Sequence, residues 1–354
     1  MDLDTVRQRL LAAEEHLSPH AARSATSRGR REPEPPSPVR SEYQRDRDRI
    51  LHTKAFRRLK HKTQVFIAPA QDHYVTRLTH TLEVAEVART IARGLNLNED
   101  LAEAAALGHD IGHGPFGHAG EEALAECLAD GFRHNYQSVR VLDRLENGGR
   151  GLNLTFEVLD AIEKSSKARE DIFAEGWGVP LTLEGQVVKT ADAIAYINHD
   201  LPDAVRAGIL GEDAVPALVR QRLGTTPEER VNTLICDAIV ASWAASGAGD
   251  GDTTIRFSPA IHEAANELRE FMFQRVYLYE VTRADAERGK RVVQFLFRHF
   301  LAHPEGISPD FSLPHDPLER RVADFVSGMT DRYAIRTATE LGCSDAQGWH
   351  VFPG

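Results

Sequence analysis

Between Leu107 and Glu121 the chain reads Leu-Gly-His-Asp-Ile-Gly-His-Gly-Pro-Phe-Gly-His-Ala-Gly-Glu. Gly108, Gly112, Gly114, Pro115, Gly117 and Gly120 oppose a continuous helix here, because glycine loses the most backbone freedom and proline lacks an N–H. Among them stand His109, Asp110, His113, His118 and Glu121. Backbone that turns tightly and carries this many imidazoles and carboxylates reads as a site, and the rest of the fold has to bring partners to it.

The adjacent pair His109-Asp110 offers a neutral imidazole nitrogen and a carboxylate oxygen, a borderline donor set for a divalent metal. Two more ligands must come from elsewhere. His80 lies in Arg77-Leu78-Thr79-His80-Thr81-Leu82-Glu83-Val84, which opens a helix, and Asp192 lies in Val188-Lys189-Thr190-Ala191-Asp192-Ala193-Ile194-Ala195-Tyr196, inside another. Taken alone, a helical His or Asp is ordinarily structural or solvated. The order His, His-Asp, Asp on successive helices, with a glycine-rich exit after the second ligand, favours metal.

Together with several other blocks, this set resembles the HD superfamily of metal-dependent phosphohydrolases, and more closely its deoxynucleoside triphosphate triphosphohydrolase (dGTPase-like) branch. The blocks are Phe56-Arg57-Arg58-Leu59, Lys62-Thr63-Gln64-Val65-Phe66, Arg77-Leu78-Thr79-His80, His109 to His118, His134-Asn135-Tyr136-Gln137-Ser138, Asp192 to Asp200, and Gly328-Met329-Thr330-Asp331-Arg332-Tyr333. They run in order over nearly the whole chain. The resemblance implies an all-α fold, an HD-domain phosphohydrolase helical core with additional C-terminal helices. It also implies hydrolysis of dGTP and other dNTPs to deoxynucleoside and triphosphate, and commonly a homo-oligomer.

The chemistry of the residues can be followed beside the resemblance. Two imidazoles and two carboxylates favour Mn²⁺, Fe²⁺, Ni²⁺, Co²⁺ or Zn²⁺ over Mg²⁺, although cellular phosphates usually arrive with Mg²⁺; one ion per site is expected. Hydrolysis at an α-phosphate also needs a proton for the departing 5′-oxygen. His118 and Glu121, three apart at a helix start, share a face, which makes His118 the general acid and Glu121 its partner. The family likewise places an essential His nine residues after its metal-binding His, with an acid three further on. His113 is a phosphate contact or a support for the ligands, and His134 has a family counterpart near the phosphates. Arg77, one turn before His80, points to the same pocket, either to bind phosphate or as a rim ion pair. By resemblance Gln64 and Asp200 read the deoxyribose 3′-hydroxyl, and Tyr196 lies beneath the sugar, excluding a 2′-hydroxyl. Asp192, Tyr196 and Asp200 recur every four residues and so share a helix face. Ala193 stands where some relatives carry a phosphate-binding Lys, leaving Lys54, Lys62, Arg206 and Arg332 as candidates for the β- and γ-phosphates.

The 354 residues are 42% apolar and 27% charged, ordinary for a globular chain. No apolar run reaches the length of a membrane span, and Met1 to Thr5 are not a signal sequence, so a cytoplasmic location without membrane contact is expected. Cys127, Cys236 and Cys343 are too few and too scattered for a disulfide framework or a cysteine zinc site. The net charge of −11 argues against a protein coated for duplex DNA. Residues 23–62 nevertheless hold thirteen Lys and Arg against five Asp and Glu, and phosphate is the expected counter-charge.

The organisation reads as an N-terminal helix and flexible basic arm over 1–41, a catalytic core over 42–205 and a helical region packed on it over 206–354. The arm, rich in Ser, Pro, Arg and Gly, is either disordered or orders over a nucleotide or a neighbouring subunit. Helices are predicted over 1–17, 42–60, 79–93, 98–109 with Asn98 as N-cap, 119–130, 135–146, 155–166, 183–200, 212–223, 228–246, 259–281, 284–302 and 317–341. Thr253 to Phe257 is the one strand candidate. Two other functions fit parts of the pattern: an HD phosphohydrolase acting on nucleoside monophosphates or cyclic nucleotides, and a low-turnover nucleotide or single-strand sensor using the basic segment. The second would need stacking aromatics, of which Tyr43, Phe56 and Phe66 lie nearby.

Overall fold

A computed structural model of the chain describes residues 3–64, 75–166, 178–277, 280–309 and 313–349. Val65 and Phe66 lie outside them. The described residues are helical, with no β-sheet, so the all-α expectation holds. Two isolated bridges, Arg30 with Thr155 and Thr63 with Thr76, are the only β-type pairings among them. The strand expected at Thr253 to Phe257 is a loop; Thr254 there bonds Asp252 through its backbone N–H and its hydroxyl instead of a second strand. Among the described residues, no helix is long and apolar enough to cross a membrane.

The chain divides into two compact units, each assembled from three separate stretches. The first comprises residues 1–52, 81–109 and 153–275. At its centre is the helix Glu99–Gly108, whose residues Leu101, Ala102, Ala104, Ala105, Ala106, Leu107 and Gly108 are all buried. A run of alanines lets neighbours approach closely, and Glu42–Leu51, Phe156–Glu163 and Leu183–Arg206 pack on it. Asn98 caps it as predicted, accepting from Leu101 N at 3.2 Å.

The arm of this unit is short of regular structure, as its composition dictates, but its polar groups have partners. Glu184 accepts from Ala22 N and Asn98 N, each at 2.9 Å. Glu157 accepts from Ser27 Oγ and Arg28 N. Arg30 is enclosed by Asp46, Glu42, Glu34 and the Asn153 carbonyl. Arg45 and Arg49 reach Glu34, Arg40 reaches Asp48, and Arg47 reaches Asp48, Asp100 and Glu103. The counter-charge of these arginines is therefore carboxylate from the same unit, which corrects the expectation of phosphate.

The second unit comprises residues 53–80, 110–152 and 276–354. Its core joins Phe116, Leu124, Phe132, Val293, Phe297, Phe300, Phe325, Val326 and Ile335. The helix Glu280–Ala302 runs through it and packs against Gly117–Cys127, Leu318–Ser327 and Asp331–Glu340.

Several predicted helices are interrupted, each for a local reason. The 42–60 helix stops at Leu51, because Thr53 turns back to cap a new one over Lys54–Arg58, accepting from Phe56 N at 3.0 Å. The 135–146 helix widens after Arg140 into a π-turn at Val141–Leu145, and the 259–281 helix does so at Phe273–Tyr277. The 317–341 helix is two, Leu318–Ser327 and Asp331–Glu340, with Thr330 capping the second. Conversely, Leu183–Arg206 continues through Pro202, which leaves the Asn198 carbonyl without its helical N–H.

The Arg30–Asp46 pair anchors the arm. Asp46 is fully buried and also accepts from Thr155 N and Oγ1 at 2.8 and 2.6 Å. Asp46→Ala leaves the Arg30 guanidinium only Glu42, Glu34 and the Asn153 carbonyl and takes the acceptor from Thr155 N and Oγ1, and is expected to destabilise the fold by about 1.5–3 kcal/mol. Arg40→Ala, which breaks an exposed pair, should cost less than about 1 kcal/mol. Urea unfolding of the two variants checks the contrast; equal midpoints would mean that Asp46 anchors nothing.

Candidate active site

The glycine-rich turn takes its course because two positions admit no side chain. A Cβ on Gly112 would stand 2.2 Å from both the His134 carbonyl and Ser138 N, and one on Gly120 would stand 1.9 Å from the Pro115 carbonyl. Gly112 N donates to Ser138 Oγ at 2.8 Å. The turn is thus pressed against the helix His134–Arg140. Phe116 then adopts a left-handed conformation, φ 62°, unusual for a residue with a side chain, and Gly117 begins the next helix.

In the second unit the turn presents Asp110 to three groups. Arg77 Nη1 donates to Asp110 Oδ2 at 2.6 Å, with both residues buried. His80 Nε2 stands 3.9 Å from the same oxygen, and His113 Nε2 stands 3.3 Å from Oδ1. Of the two readings of Arg77, phosphate ligand or rim ion pair, the geometry gives a third: a buried ion pair with a predicted metal ligand. Burial, then the charges of Arg77 and His134, hold the His113 imidazole well below its ordinary pKa, so it is neutral.

Next to it lies a histidine–carboxylate group that sequence spacing revealed only in part. His118 Nδ1 is 3.2 Å from Glu121 Oε2, as three-residue spacing predicts. Glu121 also receives His134, through its backbone N at 2.8 Å and Nδ1 at 2.9 Å. The His113 and His134 rings stack at 3.9 Å. Burial alone would raise the Glu121 carboxyl, but the charge of His134 and hydrogen bonds from His118 and His134 outweigh it and hold it far below the usual range. Burial would likewise lower His134, but Glu121 outweighs it and raises its pKa. One donor atom from each of His113, His118, Glu121 and His134 falls within 4.8 Å of the others, so the group could also hold a cation. The His118 side chain is 74% exposed, on the open side of the group.

In the first unit, His109 caps the alanine-rich helix. Its Nδ1 bonds the Ala106 carbonyl at 2.6 Å, and its Nε2 stands 3.9 Å from Asp192 Oδ1. Asp192 and Tyr196 are half-buried on the helix Leu183–Arg206, while Asp200 is buried. Asp200 Oδ1 pairs with His199 Nδ1 at 2.8 Å. Burial lowers the His199 pKa, but the carboxylates of Asp200, Glu83 and Asp203 outweigh it and raise it. The sequence reading missed His199, although His199-Asp200 repeats the His-Asp dipeptide that drew attention to residues 109 and 110.

Gln64, half-buried in the second unit, has a buried Oε1 with no hydrogen-bond partner among the described residues. Two of the four basic candidates are committed elsewhere: Lys62 is buried and bonds the His113 and Ser327 carbonyls, and Arg206 pairs with Asp203. Lys54 and Arg332 are at the surface or partly so.

Residues 77–197 match the HD domain, and residues 255–340 match the phosphohydrolase-associated domain. The chain is 49% identical to a deoxyguanosinetriphosphate triphosphohydrolase-like protein of Caldanaerobacter subterraneus subsp. tengcongensis, over 92% of each chain. It is 47% identical to one of Desulfatibacillum aliphaticivorans, over 94% of this chain and 96% of that one, and 44% identical to one of Clostridium tetani, over 90% of each. With its helical fold, the HD match and relatives of this identity along nearly all its length, the chain belongs to the deoxyguanosinetriphosphate triphosphohydrolase-like family of HD-domain phosphohydrolases.

Proposed function

We propose that the protein is a metal-dependent dNTP triphosphohydrolase, which cleaves dGTP and other dNTPs at the α-phosphorus to deoxynucleoside and triphosphate. The observation that carries the reading is the matched spacing of His80 with Asp110 and of His109 with Asp192, two pairs linked by the 109–110 peptide bond. Each nitrogen-to-oxygen distance is 3.9 Å. That is too long for a hydrogen bond but within twice a metal–ligand distance of roughly 2.1 Å. The Ala106 carbonyl can only accept, so it takes the Nδ1–H of His109 and fixes the ring with Nε2 toward Asp192, the orientation in which Nε2 would serve as a metal ligand.

These four residues would hold one divalent ion, with Mn²⁺ the best match to the donors and Mg²⁺, Fe²⁺, Ni²⁺ or Co²⁺ admissible. When bound, the ion supplies an electrophile for the phosphoryl oxygen and acidifies water. His118 protonates the departing 5′-oxygen, and Glu121 orients its ring. The charged imidazole of His134, raised by Glu121, faces the phosphates, while neutral His113 buttresses His134 by stacking. Arg77 holds the Asp110 carboxylate and adds positive charge to the phosphate pocket. Gln64 and Asp200 bind the 3′-hydroxyl, which would supply a partner that Gln64 Oε1 lacks among the described residues, and Tyr196 excludes a 2′-hydroxyl. The single-strand sensor is disfavoured, since Arg30, Arg40, Arg45, Arg47 and Arg49 are paired with carboxylates.

Chromatography of products formed with Mn²⁺ from each dNTP and from GTP tests the reaction directly. The expected products are deoxynucleoside and intact triphosphate from dNTPs only, with turnover abolished in Asp110→Ala; release of orthophosphate or pyrophosphate would sink the proposal. The pH dependence tests the histidine–carboxylate group. Glu121→Gln removes the charge that raises the pKa of His134, so the alkaline limb of kcat, where the charged His134 is lost, should move to lower pH. An unmoved limb would remove Glu121 from the protonating group.

A further inference from the structure

The block Gly328-Met329-Thr330-Asp331-Arg332-Tyr333 has no role in the chemistry above, yet the break it makes between two helices is the meeting point of the other sequence blocks in its unit. Lys62 is 3% exposed, and its amine donates to the carbonyls of His113 and Ser327. The Lys62 carbonyl accepts from Arg77 N at 3.2 Å, fixing the start of the helix that carries His80. Asp331 is 3% exposed as well. One of its carboxylate oxygens accepts from Thr63 N at 2.9 Å and from the Thr63 hydroxyl; the other accepts from Phe116 N at 3.0 Å. Ser327 Oγ accepts from Gln137 Nε2 at 3.2 Å, and Gln137 also reaches Asp324 at 3.0 Å.

The placement of Asp331 is physically economical. As the first residue of the helix Asp331–Glu340 it sits at the positive end of the helix dipole, which favours a carboxylate there. Its bond to Phe116 N holds a left-handed residue that would otherwise relax. Gln64 follows Thr63 directly, and His118 follows Phe116 by two. The two turns that deliver these side chains are therefore pinned by the two oxygens of one buried carboxylate, and Lys62 ties His113 to the same helix break.

We infer that Asp331, with Lys62 and Thr63, is a positioning element that couples the sugar-binding Gln64 to the proton-donating turn of His113 and His118. The inference rests on the roles proposed above for those three residues. Asp331 touches neither substrate nor metal; it sets the distance between the groups that do.

The test compares dGTP with its 2′,3′-dideoxy analogue as substrates for wild type, Gln64→Ala, Asp331→Asn, Thr63→Val and the double variant Asp331→Asn with Gln64→Ala. Asp331→Asn should lower kcat by about tenfold or more, on the scale set by a misplacement approaching 1 Å, and narrow the preference for dGTP over the dideoxy analogue. In the double variant the two losses should not multiply. The preference ratio does not depend on how much protein is folded. A variant that is merely less stable keeps the wild-type ratio and multiplies with Gln64→Ala, and either result overturns the inference. Thr63→Val removes only the hydroxyl bond and should shift the ratio the same way by less, which keeps the test valid if Asp331→Asn does not fold. If wild type turns over no dNTP, the functional reading has failed on its own. The coupling is then read from the imidazole NMR resonances of His113 and His118: shifts in Thr63→Val support it, and unchanged resonances overturn it.

Discussion

A carboxylate buried at Asp110 is the constraint from which the rest of the turn follows. Removing such a charge from water costs several kcal/mol unless it is paired and hydrogen-bonded. Arg77 pairs with it directly at 2.6 Å, while His80 and His113 approach its two oxygens. The position of Asp110 thereby fixes the start of the helix Arg77–Gly94 and the first residues of the glycine-rich turn together. Gly112 is the backbone counterpart of this arrangement, since any side chain there would push the turn away from the helix that carries His134.

The same balance of burial against pairing runs through the molecule. Asp46, Glu184, Asp324 and Asp331 are all carboxylates with almost no exposure, and each collects several donors. Asp46 draws on the local excess of arginine through Arg30 and Asp324 on Arg140 and Arg320, whereas Glu184 and Asp331 are held by backbone N–H groups and a hydroxyl. Glu121 follows the same rule with imidazoles, and that choice leaves a titratable proton beside the proposed leaving group.

Much of this was legible in the sequence where the governing interaction is local. Asn98 caps its helix three residues on, His118 meets Glu121 at the same spacing, and the glycines mark the turn. The family blocks supplied the fold and the HD match. Legibility failed where a distant partner decides. Glu121 binds His134 across the end of one helix and the start of the next, a pairing that no spacing rule contains. Lys62 reads in the sequence as a candidate for the β- and γ-phosphates, and only carbonyls at 113 and 327 explain why it is buried. The helix break after Ser327 is equally silent, because the demand on Asp331 comes from Thr63 and Phe116.

That last bond spans 215 residues, and it bears on how the protein comes into being. Closing so long a loop adds little to the entropic cost, which grows only with the logarithm of length, but contacts this far apart in sequence form slowly. On the ribosome the glycine-rich turn emerges well before the segment that restrains it. Until residues 276–354 are made, the unit holding that turn lacks the helix that threads its core as well as the carboxylate that fixes Phe116. The geometry of the turn is consequently among the last things translation can complete, so a nascent chain carries the full HD sequence before it has a finished site.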